Sequence, residues 1–176
     1  AQATLALDAF GLVQLNGTFG FKKASDTFYL DDAGTSSFTA DYLAISGSVS
    51  SAFVGVGSLG LTLNTVDFGI LLVTDDAGTP ETTDDVSYTA VTASVFSADF
   101  AGIPGLTATV SAASFRMNQT TAADANAVLD FAGTGHAVAF SGTSLTLTMA
   151  ATEGGLIEAQ ATLALDAFGL VQLNGT

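Results

Sequence analysis

The feature that most constrains this chain is a segment of 18 residues that occurs twice without a single change. The sequence "AQATLALDAFGLVQLNGT" fills positions 1–18 and again positions 159–176, so the second copy begins 158 residues after the first. Chance does not give so many identities, and an old duplication would have accumulated differences. We therefore interpret residues 1–158 as one repeat unit and residues 159–176 as the start of the next identical repeat, with the junction between Glu158 and Ala159. An engineered overlap is the alternative interpretation.

Shorter similarities lie inside the 158-residue period. "DDAGT" occurs at 31–35 and again at 75–79, and "FVGVGSLGLTLNTVDFGI" at 53–70 aligns without a gap with "FAGIPGLTATVSAASFRM" at 100–117. These matches indicate internal sub-units of about 40–47 residues, a period that is typical of stacked repeat architectures.

The hydrophobic pattern predicts strands throughout. Leu59, Leu61 and Leu63 alternate with Gly60, Thr62 and Asn64, and odd positions 13–21 hold Val, Leu, Gly, Phe and Phe. Alternation with a period of two is the signal of a half-buried strand. The only candidate helix, 122–132, is short. We therefore expect an all-β fold with an elongated repeat architecture, as a β-solenoid-like rod or as a chain of β-sandwiches that share strands across repeat borders. Strands of about 10 to 14 residues joined at "DDAGT" turns indicate antiparallel hairpins, although the pattern leaves a parallel solenoid open.

The charge of the chain excludes several classes of partner. Seventeen acidic residues face three basic ones, which gives a formal net charge of −14. A nucleic-acid-binding surface needs a basic patch, and an anionic membrane surface repels such a chain. No apolar run reaches the length of about 18 residues that a membrane-spanning helix needs, so no membrane insertion is expected. The chain has no cysteine, which excludes disulfides and thiol chemistry.

No set of residues for catalysis is visible, and we predict that the chain is not an enzyme. The single histidine, His136, has no partner suggested by the sequence, and a lone histidine is more often a structural residue. The glycine-rich stretch at 55–60 is followed by a strand pattern instead of a helix, so it does not fit a dinucleotide-binding loop.

Acidic turn segments are the one cluster with a candidate chemistry. Calcium takes six to eight oxygen ligands, which paired aspartates and loop carbonyls supply. The densest group lies within 11 residues and comprises Asp75, Asp76, Glu81, Asp84 and Asp85. A second pair is Asp31 and Asp32. We expect calcium as the only cofactor, if any, with solvated turn residues as the alternative, because aspartate and glycine are favoured in turns.

Two sequons, at Asn16 and Asn118, fit the pattern of N-glycosylation. Asn16 lies within a strand pattern, whereas "NQTT" at Asn118 reads as a loop. Asn118 is therefore the better candidate for a glycan.

Several phrases of the chain resemble the tandem repeats of giant secreted bacterial surface and matrix proteins. These phrases are "SAFVGVG", "VDFGILL", "YTAVTASVFSADFAGIPGLT" and "LDAFGLVQLNGTFGF". The similarity covers most of the period but includes no catalytic motif. It implies an extracellular or cell-surface location, an adhesin-like or biofilm-matrix role and, in some proteins of this kind, calcium binding.

The sequence thus predicts a structural repeat of an extracellular bacterial filament or fibrous adhesin shaft. Its partners would be neighbouring repeats of the same chain or identical chains, joined by continuous β-sheet. Two alternatives stay open. One is a subunit of a non-covalent fibre that polymerises by donor-strand exchange, and the other is a cation-dependent module that binds glycans or surfaces.

Overall fold

The computed structural model describes residues 1–133, 135–140 and 143–176. The described chain is nearly all strand, with one short 3₁₀ turn at Ala151–Glu153. The strands are β1 (Gln2–Ala9), β2 (Val13–Tyr29), β3 (Ser37–Val56), β4 (Leu59–Asp75), β5 (Val86–Ala101), β6 (Leu106–Thr120), β7 (His136–Phe140), β8 (Thr143–Leu147), β9 (Leu156–Ala167) and β10 (Val171–Gly175). The all-β prediction is confirmed, and segment 122–132 forms no helix.

Eight of the strands form one antiparallel sheet in the order β1-β2-β3-β4-β5-β6-β9-β10, while β7 and β8 pair with each other in a separate hairpin. Neighbours in the sheet are also neighbours in the chain, apart from the excursion between β6 and β9. The first "DDAGT" segment makes the turn from β2 to β3, where the Asp31 carboxylate accepts hydrogen bonds from the backbone N–H groups of Thr35 and Ser36 at 2.9 and 2.7 Å. The predicted antiparallel hairpins are therefore present.

The excursion between β6 and β9 packs on one side of the sheet, which we call the front face. Its described residues within 121–155 form the covering segment, and a cluster of buried side chains lies beneath it. The cluster comprises Phe28, Ala40, Tyr42, Ala44, Leu71, Val73, Tyr88, Ala90, Leu129, Phe131, Val138, Leu147 and Met149. The core of the chain therefore lies between the covering segment and the lower half of β2–β5.

A line of irregular residues crosses the sheet and divides it into two halves. The lower half is the one that contains the β2–β3 turn, and the upper half is the one that contains the β3–β4 turn. Ser50, Thr65, Phe96 and Ala112 are passed over in the pairing of β3, β4, β5 and β6. Thr65 and Ala112 have positive φ angles of 48° and 51°. Each irregularity adds a residue and so reverses the alternation of side chains between the faces. In β4, Phe68 below the line and Leu61 above it consequently lie on the same face, although one position is even and the other odd.

The side of the sheet opposite the front, which we call the back face, is apolar except near the β2–β3 turn, where Lys23 and Asp41 pair with each other. The rings of Phe19 and Phe68 lie over Gly47 on this face, with centroids 6.1 Å apart. The prediction that Leu59, Leu61 and Leu63 share one face is confirmed by the register of β4. The upper front face is polar, where the Asp99 carboxylate accepts hydrogen bonds from Asn64 and Thr109 at 3.2 and 3.0 Å.

Candidate functional site

The two copies of the 18-residue segment fold into the same hairpin. The turn at 10–11 has φ angles of 57° and 68°, and the turn at 168–169 has angles of 58° and 67°. Positive φ at both central positions is the type I′ geometry that matches the twist of a two-stranded ribbon. In each copy the N–H of the turn glycine donates a hydrogen bond to an aspartate carboxylate, from Gly11 to Asp8 at 2.7 Å and from Gly169 to Asp166 at 2.9 Å. Sequence identity has therefore produced structural identity.

The two hairpins differ in their neighbours. Hairpin β1–β2 has β3 on its β2 side, whereas hairpin β9–β10 has β6 on its β9 side. Among the described strands, β1 and β10 each have a single neighbour, so they form the two edges of the sheet. Each hairpin thus leaves open the side that the other hairpin uses.

The backbone of β1 presents the same row of groups that β9 uses to bind β6. Ala1 and Phe21 exchange two backbone hydrogen bonds of 2.8 Å. Because hydrogen-bonded pairs alternate along an antiparallel ladder, the N–H and C=O groups of odd residues in β1 face β2. Those of even residues, such as Thr4 and Ala6, face away from β2 toward the open edge. The equivalent residues of β9, Thr162 and Ala164, lie opposite Ser111 and Thr109 of β6. The same argument makes the outer side of β10 equivalent to the side that β2 presents to β3.

The exposure of equivalent side chains measures what each neighbour covers. Phe10 is 97% exposed, whereas Phe168 is 62% exposed because its ring lies against Gly105 in the β5–β6 turn. Leu170 is 87% exposed, whereas Leu12 falls to 46%, since its carbonyl accepts a 2.9 Å hydrogen bond from the N–H of Gly55. In a hairpin with neighbours on both sides, the exposure of both the phenylalanine and the leucine of the turn would be reduced in this way.

The predicted repeat junction is held by an ion pair. Glu158 lies opposite Arg116 of β6, and its carboxylate accepts hydrogen bonds from the guanidinium, one of them from Nε at 2.8 Å. Arg116 also contacts Glu153 at 3.2 Å. The guanidinium holds the pKa of Glu158 below its usual value and Glu158 raises that of Arg116. The sequence analysis predicted the junction at Glu158 but did not identify Arg116 as its partner. The available signal was that Arg116 is the single arginine of an acidic chain.

The acidic residues expected to bind calcium lie at the end of β4 and in the loop between β4 and β5, and three of them accept hydrogen bonds within this turn region. Asp75 and Asp76 accept hydrogen bonds from the N–H groups two residues ahead, at 3.1 and 3.0 Å, and Asp84 accepts one from the Thr79 hydroxyl at 3.0 Å. Within the described residues no three acidic or histidine side chains are grouped closely enough to hold a metal ion. Calcium at Asp75, Asp76, Glu81, Asp84 and Asp85 therefore stays a prediction.

The alternative pair, Asp31 and Asp32, borders a cleft of about 500 Å³ beside the covering segment, together with Asp130 and His136. A hydrogen bond with Asp130, burial and the nearby negative charge raise the pKa of Asp32, whereas hydrogen bonds from Thr35 lower the pKa of Asp31. The cleft is anionic and contains turn residues that already have hydrogen-bond partners.

His136 lies at the start of β7, packed against the rings of Phe28 and Tyr42 with centroids 5.6 Å away in both cases. Burial lowers the pKa of His136, and this is opposed by Asp26, whose carboxylate lies 4.0 Å from Nδ1. The contacts of His136 are those of a core side chain.

The expected loop position of Asn118 is wrong. Asn118 lies in β6 on the front face with a fully buried side chain, and its Nδ2 donates a 2.7 Å hydrogen bond to the carbonyl of Leu129. Asn118 thereby joins β6 to the covering segment, whereas Asn16 is exposed on β2. In the folded chain the amide of Asn118 is enclosed.

No protein-family model, no curated protein and no solved structure matches this chain. Within the part of the chain that is described, none of the helical structure has the length and apolar character needed to cross a membrane.

Proposed function

We propose that this chain is a structural repeat of an extracellular bacterial filament or fibrous adhesin shaft, built as a continuous β-sheet across repeat borders. One observation carries the proposal: the same hairpin occurs at both edges of the sheet, and each copy leaves open the side that the other copy fills. The extracellular location rests on the resemblance of the repeat phrases to secreted surface and matrix proteins.

The register defines how the next repeat would follow. Hairpin β9–β10 takes the place of β1–β2 in the next repeat, and β10 extends as β2 does to receive the next β3. Six strands, β1 to β6, then make up each period. At a spacing of about 4.8 Å between strands, one repeat adds about 29 Å along the filament, with strands roughly perpendicular to its axis. This is the strand-sharing form of the elongated architecture.

A chain with two successive repeats tests the proposal by small-angle scattering and electron microscopy. We expect one stiff particle that lengthens by about 29 Å for each added repeat. The variant Ala164→Pro in the central hairpin removes an N–H that faces β6, so the particle should bend or split at the junction. Thr82→Pro, in the exposed loop after β4, is the control and should leave the length unchanged. Two independently tumbling domains in the unsubstituted chain would contradict the proposal.

The identical hairpins also support a second form of the same filament. Because residues 1–18 and 159–176 are identical, hairpin β1–β2 of one chain fits the place of β9–β10 on β6 of another. Boiling native filaments in denaturant separates the two forms. One continuous polypeptide stays far above 17.6 kDa, whereas chains joined by exchanged strands fall to a band near that mass.

A further inference from the structure

The back face of the sheet is an apolar surface that the described chain does not cover. It extends over all eight strands and contains side chains with large exposed fractions, including Val54 at 52%, Val56 at 68% and Ile157 at 63%. Soluble monomers rarely expose continuous apolar patches of more than a few hundred Å². Six strands from β2 to β9, each about 12 residues long across this surface and with every second side chain on it, give a footprint of roughly 1,100 Å².

We propose that the back face binds the back face of a second copy of this chain, so that two sheets pack into a two-layer structure. The inference goes beyond the proposed filament, because it concerns a different surface and holds for the separate 176-residue chain. The footprint exceeds the area of about 800 Å² that each partner contributes to a stable protein interface.

The distribution of charge favours a second copy as the occupant. Along the described strands, the charged side chains on the back face are Lys23 and Asp41, which pair with each other at 3.2 Å near one end. Acidic strand residues such as Asp67, Asp99 and Asp166 lie on the front face instead. A chain with a net charge of −14 repels its copies most strongly where carboxylates are concentrated, as on the front face. Contact through the back faces keeps those carboxylates on the two outer sides of the pair.

The residues of the back face fit sheet-on-sheet packing. Its central row has phenylalanine on alternate strands, at Phe19, Phe68 and Phe115, with Gly47 and Ala93 between them. The rings of Phe19 and Phe68 lie over Gly47, so the aromatic surface is continuous there. Paired sheets pack about 10 Å apart and at about 30° to each other when both inner faces are apolar.

The irregular residues at 50, 65, 96 and 112 support the same inference. Without them the upper half of β3–β6 would present its polar residues on the back face, because a one-residue slip reverses every side chain. The reversal places Leu61 in line with Phe68 and keeps the apolar surface continuous from the lower to the upper half. A surface that faced water would gain nothing from this arrangement.

Sedimentation velocity of the 176-residue chain between 1 and roughly 100 μM tests the proposal, since stable interfaces of this size dissociate below that range. We expect a dimer. Val54→Lys and Val56→Lys place a charge on exposed positions of the back face and should each give a monomer with an unchanged circular dichroism spectrum. Ser51→Lys is the matched control, because Ser51 is exposed on the front face of the same strand, and it should remain a dimer.

Three outcomes of these experiments would overturn the proposal. The first is a monomeric chain at every concentration. The second is a dimer that survives both back-face substitutions but dissociates in Ala6→Pro, which would assign the association to the edge of β1. The third is a monomer that binds phosphatidylcholine vesicles through Val54, which would make a lipid surface the occupant. A failed filament test with an intact dimer would refute only the filament, so the two proposals are separable.

Discussion

A glycine substitution at the line of irregular residues should have opposite effects at two adjacent positions. Ala112 has a φ angle of 51°, in the left-handed region, whereas its neighbour Ala113 lies in the extended part of β6. A residue with a Cβ in the left-handed region costs about 1–2 kcal/mol, which glycine avoids. Glycine loses about 0.5–1 kcal/mol of conformational freedom on folding at either position.

The net effects follow from these two quantities. Ala112→Gly should raise the free energy of unfolding by about 0.5 kcal/mol, because the relieved strain exceeds the loss of chain entropy. Ala113→Gly should lower it by about 1 kcal/mol, since no strain is relieved and a half-buried methyl group is lost. The two variants should therefore differ by about 1.5 kcal/mol, which is the sum of these two effects.

Urea denaturation followed by circular dichroism measures this difference. With an m-value of about 2 kcal/mol/M, the midpoint should rise by about 0.25 M in Ala112→Gly and fall by about 0.5 M in Ala113→Gly. Measurements at two protein concentrations separate any contribution from association. Equal destabilisation of both variants would refute the left-handed conformation at Ala112, and with it the reversal of side chains that makes the back face continuous.

Three further predictions concern the core beneath the covering segment. Leu71→Ala should lower the free energy of unfolding by about 3 kcal/mol because the side chain is fully buried, whereas Leu72→Ala, on the back face and 38% exposed in the single chain, should cost clearly less in urea experiments at protein concentrations where the chain is monomeric. Asn118→Ala should cost about 2 kcal/mol, since it leaves the carbonyl of Leu129 without its donor, and glycosidase treatment of secreted chain should release no glycan from Asn118. Burial keeps the pKa of His136 below its ordinary value of 6.5, so the unfolded chain binds the proton first and stability should fall as pH drops below that value; His136→Gln should flatten this part of the profile, and an unchanged profile would contradict the burial.

The strands and turns of the sheet follow from local sequence. Alternation in residues 13–21 and 59–63 predicted half-buried strands, and both lie in the sheet with the expected residues on one face. The "DDAGT" turn at Asp31 followed from the tendency of aspartate to accept hydrogen bonds from the backbone ahead of it. The observed strands reach 15 to 20 residues in β2–β6, longer than expected, because the chain continues through the irregular positions where the alternation breaks.

Long-range features did not follow from local sequence. Threonine and alanine are not residues that favour the left-handed region, so nothing in the sequence marks Thr65 or Ala112. Within the covering segment, alternation at 145–149 indicates a strand, but its place on the front face depends on contacts with residues between 28 and 90 that are distant in the chain. Asn118 looked like a loop residue because its buried role requires Leu129, which approaches only in the folded chain.

The connection of consecutive strands by short turns determines how the proposed filament would respond to force. A pull along its axis acts in the direction of the hydrogen bonds between strands, so ladders would open one pair at a time instead of sliding past each other. Each repeat of 158 residues that opens would release up to about 530 Å of extended chain in place of about 29 Å of folded length. An opened repeat would thus be about 18 times longer than a folded one before its backbone is taut, so the filament would lengthen under a sudden load and limit the peak tension.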